Sequence, residues 1–476
     1  MHRLSSALAA LLLAVLVLAG GSASAATLTR QPYLQRVGTD TATVAFRLDT
    51  ACAASVHYGT RGGADQSVQS PNATRIQALV LQGLEPGTEY TYFVEACGAR
   101  TSPVTFTTAP VPGTRQVHFT AVGDFGMNNN DQRDVARAML GRKPELFLAL
   151  GDNAYEAGTE AEFQNNLFIP MAPLLAQVPF FAVPGNHEYV TNQGQPYFDN
   201  LYLPTSASGG EHYYSFDWGF VHFVALDSNC AIGLSSADRC TLAAQKKWVE
   251  QDLRASTAPW KIAFFHHPPW SSGEHGSQLL MRREFAPLFE KYGVDLVLTG
   301  HDHDYERTRP MVGNAEAPSG TPAPVYLVVG SGGAALRPLT EATQPSWSAL
   351  RNNGEHGYLE VTVREGTLSA QLVTPAGKVV DSFRLSKSLP TPPALPPPSS
   401  TVPETGAGTG TVPDTSPPSA GTQDPSATQS GPLENPNDPE AVGPTALGCS
   451  ADPVAALLPM GVWVLAGALR RRRASR

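Results

Sequence analysis

Side chains that can bind metal ions recur in five short stretches of the sequence. These are GDFG (Gly123–Gly126), GDNAY (Gly151–Tyr155), GNHE (Gly185–Glu188), FFHHPPW (Phe264–Trp270) and GHDHDYER (Gly300–Arg307). Carboxylates suit hard cations, and imidazole suits Zn, Fe or Mn. One such stretch means little, because Gly-Asp is a common turn. A stable fold has no need for five, so together they predict a two-metal site, with ions about 3.5–4 Å apart and one carboxylate shared between them.

Apolar segments typical of buried strands precede or begin these stretches and alternate with helical patterns, which predicts an α/β domain over 115–386. The predicted strands are Val117–Val122, Glu145–Leu150, Pro179–Val183, Phe220–Leu226, Lys261–Phe265 and Asp295–Thr299. The predicted helices are Asp131–Leu140, Thr241–Ala255 and Ser277–Lys291, and the β-rich runs VYLVVG and GYLEVTV close the domain near Leu385. The five stretches are therefore expected at one sheet edge, where open α/β sheets bind ligands. His301 and His303 are two residues apart, so an extended segment would point both the same way.

In the region before this domain, apolar and polar residues alternate as they do in short, half-buried strands. The segments TATVAFRLD (Thr41–Asp49), ASVHYG (Ala54–Gly59) and TEYTYFVEA (Thr88–Ala96) follow a period of two. The Pro-Gly turn in LEPGTEYTYFV resembles that of fibronectin type III modules. We predict a β-sandwich over 26–112 with a structural or positioning role.

The net charge and the N-terminal sequence limit the classes of protein to which this chain can belong. The chain has 476 residues and a formal net charge of −9, which argues against nucleic-acid binding because phosphate neutralisation needs a basic face. The apolar run Leu8–Gly20 and the small residues Ala23–Ala25 predict a signal peptide over 1–25. A retained membrane anchor is the alternative, but the run is short for a span.

If the protein is exported, its cysteines are expected to form disulfides. Cys52 and Cys97 share one predicted domain, and Cys230 and Cys240 lie in the next, so two disulfides within domains are predicted for an oxidising compartment. Free buried thiols are the alternative.

The C-terminal region has a different composition. Residues 388–448 are rich in Pro, Thr, Ser and Gly and predict a disordered tether. Residues 449–476 contain Cys449, the apolar run Pro453–Leu469 and the arginines Arg470–Arg473, and resemble the sorting tail of myxobacterial surface proteins. The resemblance implies processing near Cys449 and surface display, either cell-bound or extracellular. A plain C-terminal membrane anchor is the alternative.

The order of the five stretches resembles that of the purple acid phosphatases, within the calcineurin-like metallophosphoesterases. It covers Thr27 to Leu385, and larger members carry a fibronectin-like domain before the catalytic one. The resemblance implies a two-sheet α/β/β/α sandwich. It also implies a hydrolase that cleaves phosphomonoesters by attack of a metal-activated hydroxide.

Residue by residue, the resemblance implies two metal positions. The first ion would be held by Asp124, Asp152, Tyr155 and His303, and the second by the shared Asp152 with Asn186, His266 and His301. His187 would contact the phosphate and assist the leaving group, and His275 would also face the substrate. His267 competes with His266 for the ligand role. His266 is preferred because the family's ligand precedes a one-residue gap and a Pro, which leaves His267 as outer support.

Tyr155 bears on which metal is bound. A free phenol has a pKa near 10, so its ligation near neutral pH needs a strongly Lewis-acidic ion. Fe(III) is therefore expected in the first position, with Fe(II), Zn or Mn in the second as the family pairs them. If Tyr155 only packs in its loop, a divalent pair remains.

Two alternative functions stay open at this point. The same fold hosts phosphodiesterases and nucleotide hydrolases, and a phytase-like preference is compatible with the sequence. From another class, the chain could be an inactive surface binding module, against which the intact ligand set argues. The expected partner is a small phosphate ester, and the oligomeric state is not readable from the residues.

Overall fold

The computed structural model describes residues 25–205, 210–235, 240–340 and 342–389. The predicted signal peptide lies outside these ranges except for Ala25, as do the tether from residue 390 and the tail with Cys449. Within the described ranges, no helix combines the length and the apolar composition that crossing a membrane requires.

The N-terminal region forms two antiparallel sheets around a shared apolar core. Its strands are β1 (Leu28–Gln35), β2 (Thr41–Cys52), β3 (Ala54–Thr60), β4 (Gln66–Gln69), β5 (Thr74–Gln82), β6 (Glu89–Ala96), β7 (Ala99–Arg100) and β8 (Val104–Thr107). One sheet has the order β1-β2-β5, and the other has β4-β3-β6-β7 with β8 beside β6. Alternating burial along β5 reflects one face in the core and one in solvent. This arrangement agrees with the predicted β-sandwich.

The second region contains two larger sheets with helices between the strands. Its strands are β9 (Gln116–Val122), β10 (Leu146–Ala149), β11 (Phe180–Ala182), β12 (Tyr214–Trp218), β13 (Val221–Ala225), β14 (Trp260–Phe264), β15 (Leu296–Thr299), β16 (Tyr305–Thr308), β17 (Met311–Val312), β18 (Ala315–Glu316), β19 (Val325–Val329), β20 (Ser348–Asn352), β21 (Tyr358–Arg364), β22 (Thr367–Val373) and β23 (Val379–Ser386). Its α-helices are α1 (Asn130–Gly141), α2 (Glu160–Glu162), α3 (Ala172–Leu175), α4 (Gln195–Asn200), α5 (Ser228–Ile232), α6 (Leu242–Ala255) and α7 (Leu279–Lys291). A π-helical turn, Phe163–Phe168, continues α2, and a 3-10 turn, Asn192–Gly194, precedes α4.

The two sheets pack face to face. The six-stranded sheet has the order β11-β10-β9-β21-β22-β23, and the seven-stranded sheet has β12-β13-β14-β15-β19-β16-β20. Phe119 of β9 meets Phe223 of β13 edge to face, with ring centroids 5.4 Å apart. Helices α6 and α7 pack on the seven-stranded sheet through a second apolar cluster that contains Val249 and Phe285. The expectation of a single sheet edge is therefore wrong: β9, β10 and β11 carry three of the five stretches, and β14 and β15 of the other sheet carry two.

The predicted cysteine pairs are present. Cys52 is bonded to Cys97 within the β-sandwich, and Cys230 is bonded to Cys240 beside the start of α6. Both bridges close a loop within one region, so neither links the two regions.

A buried arginine joins the β-sandwich to the second region. The Arg30 side chain has no exposed surface; its Nη1 donates to Asn200 Oδ1 at 2.6 Å, and its Nε donates to Gln164 Oε1 at 2.8 Å. Gln164 lies in the π-helical turn, where Asn166 Nδ2 donates to the Tyr155 carbonyl at 2.6 Å. The β-sandwich thus supports the segment that follows Tyr155.

Candidate metal centre

The carboxylates of the centre are placed by sharp turns at strand ends. Asp124 follows β9 and Asp152 follows β10, with backbone φ angles of 57° and 51°. Left-handed backbone is uncommon for such residues and persists where the surrounding fold imposes it, often at functional sites. A Cβ on Gly185 would collide with the Asp152 carboxylate, and one on Gly300 would collide with that of Asp124. Glycine is needed at both positions because the backbone approaches the carboxylates closely.

Three side chains meet at one position. The Tyr155 hydroxyl lies 3.1 Å from Asp124 Oδ1 and 3.1 Å from His303 Nε2. His303 Nε2 lies 3.7 Å from Asp124 Oδ1, and its Nδ1 lies 2.9 Å from the Ala335 carbonyl. The carbonyl fixes the ring so that Nε2 points toward the carboxylate and the phenol.

A second group meets on the other side of Asp152. His266 Nε2 lies 3.4 Å from Asp152 Oδ2, 3.1 Å from Asn186 Oδ1 and 3.2 Å from His301 Nδ1. Its Nδ1 lies 2.9 Å from the Leu150 carbonyl, which orients the ring. The structure thus brings together all the side chains for which a ligand role is predicted, and their roles as ligands stay predictions.

The donor set fits two cations. One carboxylate oxygen of Asp124, one of Asp152 and one nitrogen of His266 lie within 4.8 Å of one another, and all three residues are buried. Carboxylate, amide, phenol and imidazole lone pairs converge, and His266 and His301 direct nitrogen atoms at each other. Positive ions between these atoms would satisfy them, since buried charges are ordinarily paired or coordinate metals. One ion would be held by Asp124, Tyr155 and His303. The other ion would be held by Asn186, His266 and His301, and Asp152 would bind both ions.

The protonation states in the protein alone reflect this crowding. Burial raises the pKa of Asp124 well above its usual value, with Asp152 adding to the effect. Burial would also raise the pKa of Asp152, but His266 and the neighbouring histidines outweigh burial and hold it below the usual value. Burial lowers the pKa of His303 to about 4, assisted by the charge of Arg337. His303 is therefore neutral near pH 7, as a metal ligand must be.

The Tyr155 phenol must lose its proton before it can bind a metal as phenolate. Burial raises its pKa well above 10, and the charges of Asp124 and Asp152 raise it further. The phenolate forms near neutral pH only if a strongly Lewis-acidic cation replaces the proton. A metal ion that binds Tyr155 would therefore have to displace the phenol proton.

Adjacent histidines have different surroundings. His266 is directed into the donor set, whereas His267 Nδ1 lies 2.7 Å from Ser228 Oγ and its ring lies 4.4 Å from that of His301. One nitrogen each of His266, His267 and His301 also lie within 4.8 Å of one another, so the choice of His266 over His267 as the ligand stays a prediction.

The two histidines predicted to face the substrate flank the centre. His187 Nδ1 lies 2.5 Å from the Glu156 carbonyl, and its Nε2 lies 3.9 Å from Asp152 Oδ2. The exposed ring of His275 stacks on that of His301, with centroids 4.3 Å apart. His301 itself has φ of 76°, so the expectation of an extended segment from His301 to His303 is wrong. Both rings still reach the centre because the turn redirects the chain.

Glu188 is a functional residue that the sequence reasoning did not assign, although it lies in the quoted GNHE stretch. Its buried carboxylate accepts hydrogen bonds from the backbone N–H groups of Asp152, Asn153, Ala154 and Gly185 at 2.6–3.0 Å. It thus fixes the turns that carry Asp152 and Asn186. Burial and the nearby Asp152 raise the pKa of Glu188, whereas the hydrogen bonds from the Gly185 and Ala154 N–H groups oppose this rise by stabilising the carboxylate.

Arg337 is a second unassigned residue. Its Nη1 contacts His275 Nε2, and its backbone N–H donates to the His303 carbonyl at 3.1 Å. No spacing rule singles out Arg337, because it follows the glycine-rich segment SGGAAL rather than a motif.

Comparison with known proteins agrees with this geometry. Residues 117–305 match the family model described as calcineurin-like phosphoesterase, and residues 323–382 match that described as iron/zinc purple acid phosphatase-like protein C. Over these two segments the chain is similar to the purple acid phosphatase-like metallophosphoesterases. The predicted enzyme class, a phosphoesterase hydrolase, is thereby confirmed.

Named relatives of this metallophosphoesterase come from plants and animals. Purple acid phosphatase 23 of Arabidopsis thaliana is 31% identical over 54% of this chain and 62% of the relative. The match thus spans less than two thirds of that protein. Acid phosphatase type 7 of Mus musculus is 29% identical over 66% of this chain and 77% of the relative. The structure of purple acid phosphatase PPD1 from yellow lupin (Lupinus luteus) seeds superposes with a TM-score of 0.65 at 20% identity, covering 77% of each chain. That likeness supports the fold.

Proposed function

We propose that this chain is an exported acid phosphatase that hydrolyses phosphomonoesters at a dinuclear metal centre, with Fe(III) in the Tyr155 position and Fe, Zn or Mn in the other. The observation that carries the proposal is the division of the donors into two groups that share Asp152. The phenol hydroxyl belongs to only one group, 3.1 Å from Asp124 Oδ1. Such a division suits two unlike ions, since phenolate and carboxylate favour a harder cation than imidazole does.

The chain's own residues would perform the remaining tasks. When bound, the two ions supply positive charge for the phosphate oxygens and lower the pKa of water toward neutrality. The Glu156 carbonyl accepts a hydrogen bond from His187 Nδ1, which turns Nε2 toward the site. A protonated Nε2 can then donate to the leaving ester oxygen, as a general acid does. His275 lies on the opposite flank, stacked on His301.

Surface display is part of the proposal. The signal-like N-terminus, the tether and the Cys449 tail support export and attachment. The two disulfides fit an oxidising compartment. A mature protein that begins at Ala26 and remains with the cell envelope is the expected result of N-terminal sequencing after fractionation, and a protein that begins at Met1 in the cytosol contradicts it.

The test is a visible absorption spectrum combined with metal analysis of the purified protein. We expect two metals per chain and a charge-transfer band from tyrosinate to Fe(III), and we expect Tyr155→Phe to lose the band. The matched control is Tyr202→Phe, a half-buried tyrosine outside the centre, which should retain it. Two metals without a band would indicate a divalent pair and contradict the Fe(III) assignment. Faster turnover of bis(p-nitrophenyl) phosphate than of p-nitrophenyl phosphate would instead favour a diesterase.

A further inference from the structure

A tightly held loop presents Arg337 at the rim of the metal centre. The Ala334 N–H donates to the Asp124 carbonyl at 2.8 Å, and the Arg337 N–H donates to the His303 carbonyl at 3.1 Å. Asn353 Nδ2 donates to the Arg337 carbonyl at 2.9 Å. These bonds tie the loop to two predicted metal ligands, so the position of the arginine is set by the same turns that set the centre.

The guanidinium has one neutral neighbour and one weakly held anion. Arginine is always protonated and only donates, so His275 Nε2 accepts from Arg337 Nη1, and the proton of a neutral His275 is on Nδ1. The Glu274 carboxylate lies 3.8 Å from Arg337 Nε, which is beyond hydrogen-bond distance. The Arg337 side chain is 29% exposed and that of Glu274 is 49% exposed. An incoming anion can therefore replace Glu274 at little cost.

Arg337 and His301 contact different parts of the His275 ring. His275 stacks on His301 at a centroid distance of 4.3 Å, and Arg337 contacts the His275 ring at its Nε2 edge. His301 belongs to the donor set, so the reacting phosphate would lie on the His301 side of this stack. The guanidinium lies at the edge of this stack, and its partly exposed side chain is open to a further anionic group of a bound substrate.

We propose that Arg337, with His275, binds a second phosphate group of the substrate, so that the preferred substrates are bisphosphates or polyphosphates rather than simple monoesters. This inference rests on the proposed phosphatase function. The planar guanidinium is suited to phosphate because it donates two parallel hydrogen bonds. Arg337 also supplies a local positive charge on a protein with a net charge of −9.

The test compares two substrates with the same sugar, fructose 1,6-bisphosphate and fructose 6-phosphate, on the metal-loaded full chain. We expect wild type to favour the bisphosphate by about tenfold in kcat/KM, mainly through KM, because a charge-assisted contact of this kind is worth about that factor. In Arg337→Gln the ratio should fall to about two, because the bisphosphate offers two hydrolysable phosphates and the monophosphate offers one. Arg337→Lys should retain part of the preference, because the charge remains without the bidentate geometry.

A matched control is Arg75→Gln, which removes an exposed arginine from the β-sandwich and should leave both the rates and their ratio at wild-type values. Binding gives a second readout: methylenediphosphonate should bind wild type more tightly than methylphosphonate, and Arg337→Gln should lose that difference. Equal losses on both fructose phosphates in Arg337→Gln would show that the arginine only orients His275, and would overturn the proposal. So would a wild-type enzyme without bisphosphate preference. A protein that turns over neither these substrates nor p-nitrophenyl phosphate would instead refute the phosphatase function itself.

Discussion

Two of the histidine–carboxylate clusters in the described part of the second region differ in how their charges are balanced. Near the start of β13, His222 Nδ1 lies 2.6 Å from Asp217 Oδ1, and its Nε2 lies 2.8 Å from Asp252 Oδ2. At the metal centre, His266 Nε2 lies 3.4 Å from Asp152 Oδ2 and 3.2 Å from another imidazole nitrogen, that of His301. The first cluster pairs each nitrogen with its own carboxylate, whereas the second points nitrogen at nitrogen.

The difference shows why residue types alone do not identify a metal site. Burial would lower the pKa of His222, but its hydrogen bonds to Asp217 and Asp252 outweigh burial and raise the pKa to about 9. Both ring nitrogens of His222 are thus engaged with carboxylates, which leaves neither of them free to bind a metal. Burial would lower the pKa of His266, but Asp152 outweighs burial and raises it to about 10 in the protein alone. The arrangement of the partners, and not the charge of the ring, therefore separates the two clusters. The first cluster is a satisfied ion-pair group, and only the second is left in need of added positive charge.

The largest expected effect is that of Asp152→Ala. The substitution removes the one carboxylate shared by the two donor groups, so both metals and turnover of p-nitrophenyl phosphate should be lost. The loss in metal affinity should exceed the roughly 10–100-fold that removal of an outer partner costs. Elemental analysis of the purified variant measures it.

The other cluster supplies the control for that experiment. Asp252→Ala should lower the free energy of unfolding but keep two metals per chain. If Asp152→Ala retained both metals and full activity, the assignment of the centre would be wrong.

A smaller effect is expected from Glu188→Gln. An amide places an N–H group against backbone N–H donors, which loosens the turns that carry Asp152 and Asn186. Metal affinity should fall by about 10–100-fold, as measured by metal retention against a series of chelator concentrations. Glu145→Gln is the control, because this half-buried carboxylate accepts from the His118 N–H and Trp218 Nε1 away from the centre. Equal metal loss in both variants would contradict a specific role for Glu188.

His222→Gln should lower stability without changing the metal content. The folded pKa of about 9 lies above the unfolded value near 6.5. The stabilisation is therefore complete below about pH 6.5 and is lost as the pH rises through about 9. Because Asp217 is 63% exposed, we expect about 2 kcal/mol at pH 6 in place of the full linkage value. Denaturant unfolding of wild type and variant at pH 6 and at pH 9.5 measures the difference.

His57 of the β-sandwich provides a comparison for His222. It has a single, partly exposed carboxylate partner, Glu95, at 3.3 Å, so His57→Gln should cost less than about 0.5 kcal/mol. A His222→Gln difference that did not shrink between pH 6 and pH 9.5 would show that the ring acts by packing and not by charge.

The smallest effects are expected from substitutions of Asp217 and Asp252, the two carboxylates that contact His222. Asp217→Asn should cost less than about 0.5 kcal/mol, because exposed ion pairs contribute little. Asp252 is 16% exposed and also accepts from Ser215 Oγ at 2.6 Å, so Asp252→Asn should cost more. Unfolding curves at pH 6 measure the loss of stability in each variant. A larger loss in Asp217→Asn than in Asp252→Asn would contradict the assignment of Asp252 as the main partner of His222.

The sequence predicted the metal-ligating stretches because each combines an apolar run with polar residues at its end. Phe147 of β10 and Phe264 of β14 lie in equally apolar runs, so their patterns do not tell which sheet each strand joins. That pairing depends on contacts distant in sequence. The sequence did not single out His222, because within the run VHFVA it has no glycine or turn beside it. Arg337 became visible only when the loop packed against His303.

The buried Arg30 has a consequence for engineering. The smallest portable unit of this molecule spans both regions, because cutting the chain between them would leave Gln164 and Asn200 without the guanidinium that they now bind. The cut would also uncover the Phe168 ring, against which Arg30 and Tyr33 pack, and the loss would fall beside the segment that supports Tyr155. A graft of the catalytic half onto another carrier therefore needs either the original β-sandwich or a replacement arginine in the same place.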